Sequence, residues 1–119
     1  MATADEEILL IPQIETKQAL ENIDDILTTD GIDAFFVGPY DLSRSLGVFT
    51  QWKNPVFEKA IEEVLEAAER TGTAPGMLAL TEDSQKTIKH GFRLVNIGGD
   101  VSFLTETANK ALEAARKDS

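Results

Sequence analysis

The sequence predicts an α/β fold of four consecutive parallel strand and helix units. Two observations predict it. Short apolar runs alternate with segments whose apolar residues recur at helical spacing, four times along the chain. Each run is separated from the next by a helical segment long enough for the crossover that parallel neighbours require. No short-range repeat, low-complexity tract or linker interrupts the alternation.

An acidic lead, residues 1–7 with Asp5, Glu6 and Glu7, precedes the first expected strand at residues 8–14. Extended residues alternate faces, so Gln13 and Glu15 share one side with Leu9 and Ile11, while Leu10, Pro12 and Ile14 point the other way. A proline lacks the ladder donor and so prefers a sheet edge or a bulge; in a half-barrel this strand would be the edge. Thr16 can cap a helix whose apolar face is Ala19, Leu20, Ile23, Ile26 and Leu27, and Gly31 stops it. Ala34 to Val37 is the second strand, turned at its end by Gly38-Pro39. A short helical turn, Leu42 to Leu46, ends at Gly47, and Val48 to Lys53 reads as a loop.

Asn54 as cap and Pro55 at the first helical position open the strongest helix, with Phe57, Ala60, Ile61, Val64, Leu65 and Ala68 on one face and Gly72 as its stop. Pro75 to Leu80 is the third strand, and Thr81 caps a weaker helix that runs to His90 and Gly91. Leu94 to Ile97 is the fourth. Gly98-Gly99-Asp100 leads into a last helix with Val101, Leu104, Ala108, Ala111, Leu112 and Ala115 expected to face inward, and with Arg116-Lys117 suited to its negative end.

The 119 residues suffice for one domain, taken here as residues 8–119. With 21 acidic against 11 basic residues the formal charge is −10, and no basic cluster is present that could neutralise phosphates along a duplex, which argues against nucleic acid as a partner. The apolar runs fall far short of the roughly 20 residues a membrane span requires, and the N-terminus lacks the regions of a signal peptide. A cytoplasmic protein is the expectation. The chain has no cysteine, so disulfides and thiolate chemistry are excluded.

The most informative residues are Gln13-Ile14-Glu15-Thr16 and Gly38-Pro39-Tyr40-Asp41-Leu42-Ser43, which place a carboxylate after each of the first two strands. Such a pair can hold a divalent metal, since magnesium, manganese and cobalt(II) accept hard oxygen ligands and two carboxylates leave further positions open. Each residue also has a plainer role available. Asp41 stands where a helix cap belongs, and Glu15 could be a surface carboxylate beside Lys17. Gly98-Gly99-Asp100 reads as a cap and turn in preference to an anion site at a helix start, Asn96 as either an interior-lining or a satisfied amide, and His90 as a dipole contact at a helix end. Phe49, Trp52 and Phe57 read as core or subunit contacts around a loop that could act as a lid.

These two strings resemble the class II metal-dependent pyruvate aldolases, a superfamily that includes 4-hydroxy-2-oxoheptanedioate and 2-dehydro-3-deoxyglucarate aldolases and the citrate lyase β subunit. The resemblance runs from Ile8 to Ala115. It implies the C-terminal half of a TIM (β/α)8 barrel, since a complete barrel takes roughly 250 residues. It further implies a carbon–carbon lyase working through enolate chemistry, with Glu15 and Asp41 as metal ligands and Gln13 as a residue contacting substrate or metal-bound water. Gly38, Pro39, Tyr40, Asp41 and Ser43 would form the substrate-binding turn, the amides of Tyr40 and Asp41 receiving the carboxylate of pyruvate and Ser43 supporting the loop. The implied partners are pyruvate or another 2-oxo acid, an aldehyde, and further subunits or a separate N-terminal half, with the last barrel helix packing across a dimer interface.

The family's enolate-stabilising arginine and its proton-transfer histidine belong to the other half of the barrel. Arg44, Arg70, Arg93, Arg116 and His90 do not fall at matching positions. Losing such a cation typically costs on the order of 3 kcal/mol in barrier, so the alternative reading is a catalytically incomplete half-barrel or oligomerisation module.

Overall fold

The structure, a computed structural model, describes residues 7–79 and 84–117. Four parallel strands form one sheet in the order β1 (Gln13–Ile14), β2 (Ala34–Val37), β3 (Ala74–Leu78) and β4 (Leu94–Asn96). The α/β class and the four-unit alternation are thus as the sequence predicts. Strand β1 lies at the edge, where Pro12 requires it, but it is far shorter than the expected residues 8–14. The cause is local: Pro12 has no N–H to give, and the segment before it follows β2 without a regular ladder. The carbonyls of Leu10 and Pro12 accept from the N–H groups of Asp33 (3.2 Å) and Phe36 (2.9 Å), and the Leu10 N–H donates to Asp33 Oδ2 (2.9 Å).

The first expected helix is two, α1 (Lys17–Glu21) and α2 (Ile23–Leu27). Thr16 Oγ1 caps α1 by accepting from the Ala19 N–H at 3.0 Å. The break falls at Asn22, whose amide donates back to the Gln18 carbonyl at 2.8 Å, a local bond that competes with helix continuation. Helix α3 (Pro39–Ser45) begins at Pro39 rather than Leu42, because a proline in the first turn forgoes only an N–H that has no helical partner. Its N-cap is Gly38, so Asp41 belongs to the first turn and is not the cap. Helix α4 (Pro55–Thr71) is capped by Asn54 Oδ1 on the Val56 N–H at 3.0 Å and closes on Gly72 in the left-handed conformation at φ 71°.

Helix α4 buries Phe57, Ala60, Ile61, Val64, Ala67 and Ala68. They meet Ile14, Phe35, Val37 and Met77 from the outer face of the sheet and Leu20, Ile23 and Leu27 from α1 and α2 in one core. Full burial of side chains such as Phe35 and Val37 stabilises by roughly 1.5–3 kcal/mol each. An exposed fork from Arg70 to Asp24, at 3.0 and 3.3 Å, links α4 to α2, and this bond holds the Arg70 guanidinium above its ordinary pKa.

Helix α5 spans Ser84–His90. The expected cap Thr81 and the expected strand end at Leu80 lie outside the described residues. Helix α6 (Asp100–Lys117) departs from expectation. Its apolar residues do not face inward: Val101, Leu104 and Leu112 are 72%, 74% and 53% exposed, and Ala108, Ala111 and Ala115 are exposed as well. Strand β4 is the second edge of the sheet, and past it there is no further layer for the apolar stripe to rest on. Among the described residues no helix is long and apolar enough to cross a membrane.

The opposite face of the sheet is open. Gln13, Phe36, Gly76 and Leu94 stand in one row by register. The Phe36 ring occupies the space a side chain at Gly76 would need, since a Cβ there would lie 2.7 Å from Phe36 Cδ2. In a closed barrel this face would line the interior.

Candidate metal and substrate site

The register sets Ile14 opposite Val37, so the next residues along, Glu15 and Gly38, are neighbours at the C-terminal ends of β1 and β2. The Gly38 N–H donates to the Ile14 carbonyl at 3.1 Å, which fixes that proximity. Alternation then turns Gln13 and Glu15 to one side, and both side chains reach over Gly38. A Cβ on Gly38 would stand 2.6 Å from Gln13 Nε2, 3.0 Å from Glu15 Cβ and 3.1 Å from Glu15 Oε2. The missing side chain is therefore the space that the amide and the carboxylate share.

Asp41 comes from the first turn of α3 and is exposed. One turn further on, Ser45 Oγ accepts the Lys17 N–H at 2.9 Å. Residues four apart share a helix face. The Ser45 contact thus puts Asp41 on the side of α3 that faces the turn between β1 and α1, where Glu15 lies. Pro39 is buried and has no N–H, while the first turn leaves the amides of Tyr40 and Asp41 without carbonyl partners inside the helix.

Ser43 is fully buried beneath this turn. Its hydroxyl donates to the Tyr40 carbonyl at 2.9 Å and accepts the Thr50 N–H at 3.3 Å. Around it the Tyr40 ring meets Trp52 edge-on at 5.1 Å, Trp52 meets Phe57 at 5.4 Å, and the Arg44 guanidinium lies 4.5 Å from the centre of the Phe49 ring. Phe57 belongs to the core.

The remaining candidates are placed elsewhere. Asn96 Oδ1 accepts from the Gly98 N–H, Ser102 Oγ from the Gly99 N–H, and Asp100 Oδ1 from the Val101 N–H, so Gly98-Gly99-Asp100 is a locally bonded turn and helix start. His90 ends α5 with its ring against Phe92. Together with Arg93 it lines a cleft of about 440 Å³ beside Gly72 and Pro75, at the N-terminal ends of the strands, opposite the end where Glu15 and Gly38 lie. Catalytic groups of barrels sit at the C-terminal ends.

Among the described residues no group of three or more His, Cys, Asp or Glu gathers as a metal cluster. Gln13, Glu15 and Asp41 each carry a hard oxygen donor of the kind a divalent cation can accept. Sequence reasoning named these three but missed Ser45, whose serine in a short polar helix carries no recognisable signal. It also missed that Gly38 is required for space as well as for the turn.

The sequence profile of HpcH/HpaI aldolase/citrate lyase proteins matches residues 2–107. The chain belongs to this family. Among HpcH/HpaI relatives, the 2-keto-3-deoxy-L-rhamnonate aldolase of Klebsiella pneumoniae is 37% identical over 120 residues, covering 100% of this chain and 45% of that protein. The hydroxypyruvate/pyruvate aldolase of Chromohalobacter salexigens is 38% identical over 109 residues, covering 91% of this chain and 43% of that protein. The crystal structure of a family member from Burkholderia cenocepacia superposes with a TM-score of 0.89 at 33% identity, over 97% of this chain and 45% of that one. The chain thus spans less than half the length of these relatives, and its four units form part of the HpcH/HpaI barrel.

Proposed function

We propose that this HpcH/HpaI chain carries the metal-binding and 2-oxo-acid-binding part of a carbon–carbon lyase site, within one half-barrel domain formed by residues 8–119. The observation that carries the reading is the gathering of Gln13 Nε2 and Glu15 Oε2 over the bare Gly38. An amide and a carboxylate held at the end of a strand, beside a helix start, have no role in packing the core.

In this reading Glu15 and Asp41 hold magnesium, manganese or cobalt(II), and Gln13 orients substrate or water. The Tyr40 and Asp41 amides donate to the carboxylate of pyruvate or a related 2-oxo acid, and Ser43 holds their turn in place. A divalent ion at this position would draw charge from the keto oxygen and so acidify the adjacent carbon. The relatives named for aldolase activity on keto acids support the same substrate class. An aldehyde is the second reactant.

The test is manganese-dependent exchange of the pyruvate methyl protons for deuterium. Exchange is expected in the wild type and a loss of at least tenfold in Glu15→Ala and in Asp41→Ala. Equal rates in all three proteins would refute the reading.

A second reading, an assembly module, is favoured by the uncovered apolar stripe of α6. In it the stripe docks on a second copy of the chain. The two readings are compatible, because a subunit contact through α6 leaves Glu15 and Asp41 untouched.

A further inference from the structure

We propose that Arg44 is a specificity residue that selects substrates carrying a second carboxylate, an inference that rests on the 2-oxo-acid reading of the site. The chain carries a formal charge of −10. Lys17 pairs with Glu21, and Arg70 with Asp24 and Glu66. Among the described residues Arg44 is paired with no carboxylate; its guanidinium lies instead over the Phe49 ring.

Arg44 follows Asp41 by three positions on α3, which brings their side chains onto adjoining parts of one face. Helical side chains lean toward the N-terminus of their helix. The Arg44 stem is therefore expected to lean toward the end of α3 that holds Gly38 and Asp41, from where its charge would meet the far end of a bound 2-oxo acid.

Phe49 is held under that charge at a cost. The next residue, Thr50, is β-branched and adopts φ 57°, a left-handed conformation that costs on the order of 1–3 kcal/mol. Ser43 holds the strained segment: its carbonyl accepts the Val48 N–H at 2.9 Å and its hydroxyl the Thr50 N–H. The same hydroxyl donates to the Tyr40 carbonyl. One buried serine thus couples the turn proposed to grip the first carboxylate to the loop that positions Phe49 beneath Arg44. A guanidinium resting on an aromatic face keeps its donor edge free for a bidentate contact to a carboxylate.

Calorimetric titrations with manganese present would test this. The ligands are pyruvate, 2-oxoglutarate and 2-oxopentanoate, the last two differing only at the far end; 2-oxo-4-phosphonobutanoate distinguishes a phosphate-like anion from a carboxylate. The wild type is expected to bind 2-oxoglutarate about tenfold more tightly than 2-oxopentanoate, as one charge-assisted contact supplies. Arg44→Gln should abolish the preference and leave pyruvate affinity and melting temperature unchanged, Arg44→Lys should keep part of it, and Phe49→Leu should reduce it about threefold. A wild type without the preference, or an Arg44→Gln variant that keeps it, overturns the proposal. Tenfold tighter binding of the phosphonate than of 2-oxoglutarate overturns the choice of carboxylate. Failure of pyruvate itself to bind with manganese overturns the lyase-site reading as well, whereas pyruvate binding without the preference overturns the role of Arg44 alone.

Discussion

The Ser45 hydroxyl and the Lys17 amide join two successive strand and helix units at the mouth of the site, Oγ lying 2.9 Å from the donor nitrogen. Lys17 opens α1 immediately after the Glu15-Thr16 turn, and Ser45 closes the helix that carries Asp41. One hydrogen bond therefore ties the turn that carries Glu15 to the helix that carries Asp41.

Removing that bond should separate binding from folding. Ser45→Ala is expected to lose only about 1 kcal/mol of stability, because the freed Lys17 N–H is exposed and water can take the hydroxyl's place. Manganese affinity should fall severalfold, since one tie between the units that carry Glu15 and Asp41 is then lost. Urea unfolding and a metal titration on the same sample check both effects, and Ser45→Thr should retain the wild-type values.

The space above Gly38 gives a sharper expectation. In Gly38→Ala the new methyl meets Gln13 Nε2 at 2.6 Å and Glu15 at 3.0 to 3.1 Å. The variant should be destabilised by about 1–3 kcal/mol, and the melting-temperature rise on adding manganese should require at least tenfold more metal. Adding Gln13→Ala should recover part of the stability, because its amide is the closest obstacle, without recovering metal binding, because Glu15 remains displaced. Differential scanning fluorimetry with and without manganese distinguishes these outcomes.

The apolar stripe of α6 predicts self-association. Replacing Val101, Leu104 and Leu112 together by serine removes side chains that contribute nothing to this subunit's core. The melting temperature of dilute protein should hardly change, while the dissociation constant of the dimer, measured by sedimentation equilibrium, should rise at least tenfold. A wild-type chain that stays monomeric at micromolar concentration would contradict the expectation.

The sequence was most legible where local chemistry and tertiary packing agree. Asn54-Pro55 and Gly72 bound α4 as capping rules require, and the parallel order of the strands follows from the helices between them. Legibility failed where a tertiary partner decides. The apolar run of residues 8–12 reads as strand, yet Pro12 and the lack of an outer neighbour keep it out of the ladder. The stripe of α6 reads as inward-facing, although periodicity says only that a face is apolar and not what covers it. At the site, Gln13, Glu15, Gly38 and Asp41 stood out because they fall in the two short strings, one at the end of each of the first two strands, that carry the family resemblance. Ser45, Thr50 and the Arg44–Phe49 contact did not, because each depends on how a loop folds back on a helix.

The strands are laid side by side in the order in which they are synthesised. A nascent polypeptide leaving the ribosome therefore never has to thread a late segment between two earlier ones, and each newly exposed strand finds the preceding one as its template. Each addition moves one open edge forward to the newest strand while β1 stays open as the other, so both β1 and β4 keep unpaired backbone groups that a neighbouring strand can satisfy.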